Sequence, residues 1–262
     1  MLFIGYLLLG AFAGLLAGLF GIGGGLIIVP VLVVSFRAMG FEPEIITHLA
    51  LGTSLPTMIF TGLSTLRTHQ QAGAVDWVMI RRLGAGMLIG AWLGGMTANL
   101  LTASTLNTII ACFCWIMALQ MGLNLKPKAE RHLPGPLGTG IAGTLIGWLS
   151  ALFGIGGGSL TVPYLSWNSV PMRQAIAASA ACSIPIAVAG SLSYLYAGWG
   201  HSDLPQWSVG FIYLPALLGI VLTSTQFARV GAKLTHRMPA KRLKQAFAVL
   251  MVLVGSKFMF FS

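Results

Sequence analysis

Charged side chains are scarce in this sequence. Asp, Glu, Lys and Arg together make up 8% of the 262 residues, whereas hydrophobic residues make up 56%. Soluble domains carry about 25% charged residues, and so few charges cannot cover a water-exposed surface. The composition therefore excludes an ordinary soluble protein and predicts an integral membrane protein, whose surroundings are the lipid bilayer.

Residues that bind metals or close disulfides are also few. The chain has three cysteines and five histidines, and no spacing among them is typical of a metal site. Cys112 and Cys114 are two residues apart in an apolar run, which places them on different faces of a helix. We therefore predict no disulfide, no metal site and no cofactor.

Acidic residues are the rarest charged class. All five lie near the ends of apolar segments or in loops: Glu42, Glu44, Asp76, Glu130 and Asp203. Carboxylates inside a membrane mark proton relays and cation sites, and the sequence places none at mid-membrane. A cavity in this protein should therefore suit an anion. The same lack argues against an intramembrane enzyme built on a carboxylate pair or a metal cluster, so we predict that the protein is not an enzyme.

The net charge of +10 comes from Lys and Arg residues in short clusters between apolar runs. This pattern is typical of cytoplasmic loops under the positive-inside rule. No basic soluble stretch with interleaved aromatic residues is present to bind nucleic acid. The predicted partners are the lipid bilayer and a small anionic substrate, with no nucleic acid.

Ten apolar segments predict an all-α polytopic membrane protein. We expect a first transmembrane repeat over 1–123, a cytoplasmic linker over 124–136 and a second transmembrane repeat over 137–262. The segments are roughly 2–20, 24–39, 43–66, 76–101 and 104–123 in the first half, and 137–153, 157–169, 171–198, 205–234 and 239–261 in the second. The second segment of each half is shorter than the ~20 residues that cross a bilayer. We therefore predict about eight full spans and two short re-entrant segments.

The two halves repeat one glycine-rich phrase. LFGIGGGLIIVPVL begins at residue 19, and LFGIGGGSLTVPYL begins at residue 152. A second pair of blocks aligns Ser54 with Ser183 and Pro56 with Pro185. The chain therefore contains an internal duplication.

Charge predicts the orientation of the two repeats. With five segments in each half, the second repeat enters the membrane inverted relative to the first. This arrangement places Lys126–Arg131 and Lys241–Lys244 on one face, which is then cytoplasmic, with both termini periplasmic. Inverted repeats are an architecture of secondary transporters, with the site at the repeat interface. We expect a monomer or a homodimer.

The repeated glycines predict a substrate site. Broken helices are tolerated at membrane depth where the backbone lines a cavity, and the helix that restarts after each break directs free N–H groups towards an anion. The alternative is close helix packing, for which Gly10, Gly14 and Gly18 or Gly86, Gly90 and Gly94 have the expected four-residue spacing. The backbone candidates for substrate binding are Gly23, Gly24, Gly25, Gly156, Gly157 and Gly158.

Polar side chains near the breaks and the prolines complete the predicted site. The side-chain candidates for substrate binding are Thr53, Ser54, Ser159, Thr161, Cys182 and Ser183. Those that precede Pro56 and Pro185, the two predicted helix kinks, either face a cavity or bond back to their own helix. His48 is the candidate for proton coupling, and the alternative is a histidine that faces lipid headgroups.

The doubled GIGGG…VP phrase, the two Ser-x-Pro helices and the closing PALLGIVLTSTQFARVGAKL…KRLKQAF resemble the sulfite exporter TauE/SafE family, also called the toluene sulfonate uptake permease family. The resemblance covers nearly the whole chain. It implies a multi-pass protein of the bacterial inner membrane with about eight spans. It also implies sulfite, sulfoacetate or other organosulfonates as substrates, moved by uptake or export.

These observations predict a secondary transporter of a small sulfur-containing anion, with its site between the two glycine hairpins. The alternative is an uncoupled anion channel or facilitator, because few titratable groups lie within the apolar segments.

Overall fold

The computed structural model describes residues 2–20, 24–122, 133–235, 245, 248–249, 251–256 and 259. The described chain is almost entirely helical. Its elements are α1 (Leu2–Phe20), α2 (Gly25–Ala38), α3 (Pro43–Gln71), α4 (Trp77–Asn99), α5 (Ala103–Gly122), α6 (Pro136–Leu152), α7 (Gly158–Trp167), α8 (Met172–Ala197), strands β1 (Ser208–Val209) and β2 (Ile212–Tyr213), and α9 (Leu214–Thr235). The described residues from 245 onwards are also helical.

The helix lengths separate candidate spans from short helices. Three helices in the described part of the chain are long and apolar enough to cross a membrane: Pro43–Gln71, Met172–Ala197 and Leu214–Leu234. At ~1.5 Å per residue, the 14 residues of α2 and the 10 of α7 extend about 21 Å and 15 Å. Both are shorter than a hydrocarbon core of about 30 Å, which confirms that the segment after each glycine phrase is short.

Local sequence signals explain several helix ends. Pro43 and Pro136 occupy the first helical positions of α3 and α6. Proline is favourable there because the N–H group that it lacks would have no partner within the helix. Asp76 caps α4, because its side chain accepts hydrogen bonds from the N–H groups of Val78 and Met79 at 2.9 and 3.1 Å. The four described acidic residues thus lie at helix ends or in a loop, as predicted.

A β-hairpin interrupts the apolar segment that we predicted as a single run over 205–234. β1 and β2 pair antiparallel, with Val209 opposite Ile212, and α9 begins only at Leu214. Gly210 turns the chain with φ of +54°, a conformation that glycine adopts without steric cost. Because aromatic and β-branched residues surround this turn, hydropathy alone does not distinguish the hairpin from a helix start.

Glycines on α1 and α4 allow two close helix pairs. A Cβ atom on Gly14 would collide with the backbone of Ser224 on α9, and Gly10 and Gly18 approach α9 in the same way. On α4, Gly86, Gly90 and Gly94 approach the backbone of α6. The predicted packing role of both glycine series is confirmed, because a side chain at these positions would push the helices apart.

Residue contacts also give the helix directions. Gly10 lies against Ile220 and Gly18 against Ala228, so α1 and α9 run parallel. The contacts of Gly86 with Gly140 and of Gly94 with Trp148 make α4 parallel to α6.

The two long central helices run in opposite directions. Gly62 lies against Ser183, whereas Gly190 lies against Leu55, so α3 and α8 are antiparallel. About four fifths of the apolar window in each is buried, against one third in α9. The buried centre of the bundle is therefore the α3–α8 pair.

Candidate functional site

The two short helices begin beside the middle of the central helices. A Cβ atom on Gly25, the first residue of α2, would meet the terminal methyl group of Met58 on α3 and the carbonyl oxygen of Gly154. A Cβ on Gly157, the N-cap of α7, would lie 2.7 Å from Cδ1 of Ile186 on α8. The two glycine phrases therefore approach each other directly, through Gly25 and Gly154.

The second glycine break begins with a tight helix end. The N–H of Ile155 donates to the carbonyl oxygen of Ser150 at 2.9 Å, and the N–H of Gly154 donates to that of Ala151 at 3.1 Å. This is a Schellman cap, which requires a left-handed residue, and Gly154 has φ of +59°. Gly154 is thus a structural residue that turns the chain towards α7.

Four consecutive backbone N–H groups follow that turn. Among the described residues, no hydrogen bond is made by the N–H groups of Gly156, Gly157, Gly158 or Ser159, although all four residues are buried. Buried backbone N–H groups are paired in more than 90% of cases. The turn into α7 is therefore an unusual concentration of free donors at the positive end of a helix.

Two buried hydroxyl groups lie in the first turn of α7. Ser159 is 1% exposed and Thr161 is 0% exposed, and neither hydroxyl has a hydrogen-bond partner among the described residues. The Oγ1 atom of Thr161 lies 3.2 Å from the position that a Cβ on Gly157 would take. The hydroxyl of Thr161 therefore lies over the N-terminal turn, beside the free N–H groups.

Other predicted hydroxyls already have partners. Ser54 donates to the carbonyl oxygens of Leu51 at 2.8 Å and Gly154 at 2.9 Å. Ser183 donates back to the carbonyl oxygen of Ala180 at 2.7 Å. Both serines thus show the back-bonding alternative, and Ser54 also joins α3 to the second glycine break.

Thr53 and Cys182 lie at the same depth as these serines. Oγ1 of Thr53 accepts a hydrogen bond from the N–H of Tyr213 at 2.9 Å, which fastens the β-hairpin to α3. Cys182 is fully buried as a free thiol within α8. Pro56 and Pro185 lie inside the continuous helices α3 and α8.

The first glycine break differs from the second. Gly24 is the N-cap of α2 with φ of +87°, whereas Gly157, its counterpart, has φ of −48°. The N–H groups of Gly25 and Leu26 make no hydrogen bond to a described residue, but the side chains that follow are apolar. Gly23, which the sequence also placed in the site, lies outside the described residues.

His48 lies apart from the two breaks. It is buried at 6% exposure, and six residues of helix, or about 9 Å of rise, separate it from Ser54. Its Nε2 lies 3.0 Å from the carbonyl oxygen of Ala98, so Nε2 carries the hydrogen and donates. Its ring centroid lies 5.4 Å from that of Phe211. The alternative that His48 faces lipid headgroups is therefore wrong. The part of His48 in proton coupling stays a prediction.

Three of the acidic residues share one end of the bundle. Glu42, Glu44 and Asp203 line an open cavity of about 590 Å³, together with Gly40, Phe41 and Pro205. Asp203 is also 3.8 Å from the imidazole of His201. This end of the protein therefore presents negative charge.

Arg229 is a residue that the sequence reasoning missed. It lies inside α9, and its Nε donates to Oγ of Ser64 at 3.1 Å. Ser64 in turn donates to the carbonyl oxygen of Thr225 at 2.6 Å. An arginine inside an apolar run is the signal that points to it, because charges within membrane segments are usually functional.

Comparisons with known proteins identify a family and several relatives that are named membrane transporter proteins. The family model described as sulfite exporter TauE/SafE matches residues 6–258. A probable membrane transporter protein of Haemophilus influenzae is 37% identical over 250 residues, covering 95% of each chain. The probable membrane transporter protein YunE of Bacillus subtilis is 26% identical over 283 residues, covering 99% of this chain and 98% of YunE. A probable membrane transporter protein of Methanocaldococcus jannaschii is 24% identical over 255 residues, covering 95% and 92%.

No solved structure matches the chain. The family model nevertheless covers nearly all of it and includes both glycine breaks and α9. The chain is a membrane transporter protein that belongs to the sulfite exporter TauE/SafE family.

Proposed function

We propose that this protein is a secondary transporter of a small sulfur-containing oxyanion, of the class of sulfite, sulfoacetate or another organosulfonate. The observation that carries the proposal is the first turn of α7. Buried hydroxyls and backbone N–H groups without partners among the described residues lie in this turn, at the positive end of a helix. The substrate class comes from the family to which the chain belongs.

An oxyanion fits these groups because each can donate a hydrogen bond to an oxygen. Hydrogen bonds from neutral donors to a charged acceptor are stronger than those between neutral groups. A helix N-terminus adds about half a positive charge. The described acidic residues lie at helix ends or in a loop, and none lies in the middle of a described helix.

The helix directions support two inverted repeats in the membrane. The duplication makes α1, α3 and α4 the counterparts of α6, α8 and α9. α1, α3 and α9 share one direction, since Thr53 contacts Tyr213 and Ser64 contacts Thr225. α4 is parallel to α6. It is also parallel to α8, since Gly84 contacts Pro185 and Gly95 contacts Ser193, so α4, α6 and α8 run opposite to α1, α3 and α9. In this arrangement each helix runs antiparallel to its counterpart, as a two-fold axis in the membrane plane requires.

The proposed topology places the protein in a bacterial inner membrane with both termini periplasmic, as a monomer or a homodimer. Single cysteines at Lys128 and Lys241, in a variant without Cys112, Cys114 and Cys182, test it by labelling with a membrane-impermeant maleimide. We expect both positions to react only from the cytoplasmic side. Labelling of the two positions from opposite sides would refute the inverted arrangement.

Uptake into proteoliposomes tests the transport function. Purified protein should give saturable uptake of labelled sulfite or of a labelled sulfonate, and liposomes without protein give the background. Gly157→Leu is the inactive control, because its side chain would occupy the first turn of α7 beside Thr161. Uptake equal to that of empty liposomes for both anions would reject the proposal.

An uncoupled anion channel is the second candidate. The observation that favours it is the position of His48, the candidate for proton coupling. Its Nε2 donates to the carbonyl oxygen of Ala98, away from the glycine breaks. Counterflow separates the two functions. A carrier takes up labelled anion faster when unlabelled anion is present on the opposite side, and a channel shows no such stimulation.

A further inference from the structure

Four hydroxyls around the second glycine break lack partners among the described residues, and all four have apolar counterparts in the first repeat. The segment from 150 to 164 contains Ser150, Ser159, Thr161 and Tyr164, and their side-chain oxygens are buried without a hydrogen-bond partner among the described residues. With the offset of the glycine phrases, the residues that correspond to them are Ala17, Leu26, Ile28 and Val31. The duplicated frame is therefore polar in one copy and apolar in the other.

Burial without a partner makes these hydroxyls costly to the fold. A buried hydroxyl that lacks a hydrogen bond destabilises a protein by about 1–3 kcal/mol. Three buried hydroxyls of the central helices avoid this cost, because Ser54, Thr57 and Ser183 each donate to a carbonyl oxygen, whereas Ser191 and Ser224 do not. Ser159 and Thr161 combine unpartnered hydroxyls with the unpartnered N–H groups of a helix start, which is expected of groups that bind a ligand.

The first repeat provides a tightly packed apolar wall at the corresponding place. Leu26 is 1% exposed and Ile28 is 0% exposed. Gly25 has no room for a side chain, because the methyl group of Met58 and the carbonyl oxygen of Gly154 lie directly against it. The first turn of α2 therefore supports the second break by close packing and carries no hydroxyl.

We infer that the anion site lies within the second repeat alone, where Ser159, Thr161 and the N–H groups of the α7 first turn bind a sulfur-bound trioxide group, while α2 forms its apolar wall. This inference rests on the proposed transport function and narrows it to one half of the duplication. Sulfite and sulfonates share the pyramidal SO₃ group, whose three oxygens accept the hydrogen bonds.

Two conservative variants and one matched control test the inference. Ser159→Ala and Thr161→Val each remove a hydroxyl that has no partner, with little change of shape. Thr57→Val removes a buried hydroxyl that donates to the carbonyl oxygen of Ser54. In purified protein without added anion, we expect the first two variants to keep or raise the midpoint of thermal unfolding, and Thr57→Val to lower it.

Anion binding provides the second measurement. We expect sodium sulfite, or sodium methanesulfonate as the sulfonate probe, to raise the unfolding midpoint of the parent protein. Ser159→Ala and Thr161→Val should each weaken this binding by about tenfold or more, whereas Thr57→Val should change it less than about twofold. Ile28→Thr, which introduces the hydroxyl of the second repeat into the first, should lower the midpoint without tighter binding.

The outcomes separate the inference from the proposed function. If the parent binds and transports an anion but Ser159→Ala and Thr161→Val bind it normally, the inference is wrong and transport stands. Lower midpoints with unchanged binding would show that the two hydroxyls are structural or hold water. Tighter binding in Ile28→Thr would show a site shared by both repeats. If the parent neither binds nor transports sulfite or methanesulfonate, the proposed function fails first.

Discussion

The two glycine breaks have nearly the same sequence but differ in conformation and chemistry. At the first, Gly24 has a left-handed backbone, and the helix that follows carries Leu26 and Ile28. At the second, Gly157 has a right-handed backbone, and the helix carries Ser159 and Thr161. The glycines preserve the break in both copies, whereas the residues one turn later decide which copy can hold a polar ligand. The repeated phrase thus accounts for the break in both halves, and the residues that differ after it account for the proposed site.

The largest effect is expected where the two halves are alike. Gly14 and its counterpart Gly147 lie against the backbones of Ser224 and Met87 respectively. Leucine at either position would separate a helix pair, and overpacking of this kind costs about 1–3 kcal/mol or more. We expect Gly14→Leu and Gly147→Leu to abolish most of the monodisperse protein in size-exclusion chromatography. Gly5→Leu is the control, because a Cβ there meets nothing within 4 Å. Normal yield from only one of the pair would show that the halves pack differently.

A smaller and opposite pair of effects is expected at the breaks. Gly24→Ala should lower the unfolding midpoint, because a left-handed backbone costs a residue with a Cβ about 1–2 kcal/mol. Gly157→Ala should lower the midpoint only slightly, since φ of −48° suits alanine and the Cβ would press only on the movable terminal methyl group of Ile186. Its Cβ would lie 3.2 Å from Oγ1 of Thr161, so we expect about tenfold weaker transport affinity, equal to ~1.4 kcal/mol. Concentration-dependent uptake and thermal unfolding measure the two effects. The reverse pattern would place the anion at the first break.

Arg229 distinguishes the two corresponding serines, Ser64 and Ser193. Nε of Arg229 donates to Oγ of Ser64, whereas the counterpart of that serine, Ser193, lies against Gly95 and donates to the carbonyl oxygen of Gly190. Arg229 is exposed on α9, and a positive charge on the surface of an anion transporter raises the local anion concentration. We expect Arg229→Gln to raise KM a few-fold with less change in kcat, and Arg229→Lys to keep most of the effect. Equal losses in both variants would assign Arg229 to the hydrogen bond with Ser64 rather than to its charge.

The smallest effect is expected at His48. Glutamine can replace the hydrogen bond from Nε2 to the carbonyl oxygen of Ala98, so His48→Gln should fold normally. Sulfite can carry its own proton, and in that case uptake at several pH values should have the same profile in variant and parent. If the substrate is a sulfonate moved with protons, the profile should shift. If sulfonate uptake depends steeply on protons and His48→Gln leaves this dependence unchanged, the proton pathway lies elsewhere.

Prediction from the sequence succeeded where one residue type imposes a local constraint. The predicted segments that begin at 43, 76 and 137 start within one residue of α3, α4 and α6, where Pro43, Asp76 and Pro136 impose the local constraint. Glycines at four-residue spacing mark the close pairs of α1 with α9 and α4 with α6. The short helices after the glycine phrases were also predictable, because each apolar run is too short to span a bilayer.

Prediction failed or stayed open where distant segments decide the outcome. The hairpin at 208–213 is held by Thr53, 160 residues away in sequence, and no local pattern indicates that contact. Ser54 and Ser159 both lie in apolar segments, so hydropathy does not distinguish them. In the structure Ser54 donates a hydrogen bond to Gly154, whereas the hydroxyl of Ser159 has no partner among the described residues. A hydroxyl in an apolar segment is therefore ambiguous until its neighbours are known.

The sequence by itself determined the membrane class, the family, the duplication and the two glycine breaks, because these depend on composition and on the order of residues. The tertiary structure alone decided which hydroxyls are already bonded, that Gly25 packs against Gly154, and that Arg229 reaches Ser64. The reason is physical: hydrogen bonding and close packing depend on which surfaces the folded helices bring together. In a chain where most residues are equally apolar, many such arrangements are compatible with one hydropathy pattern.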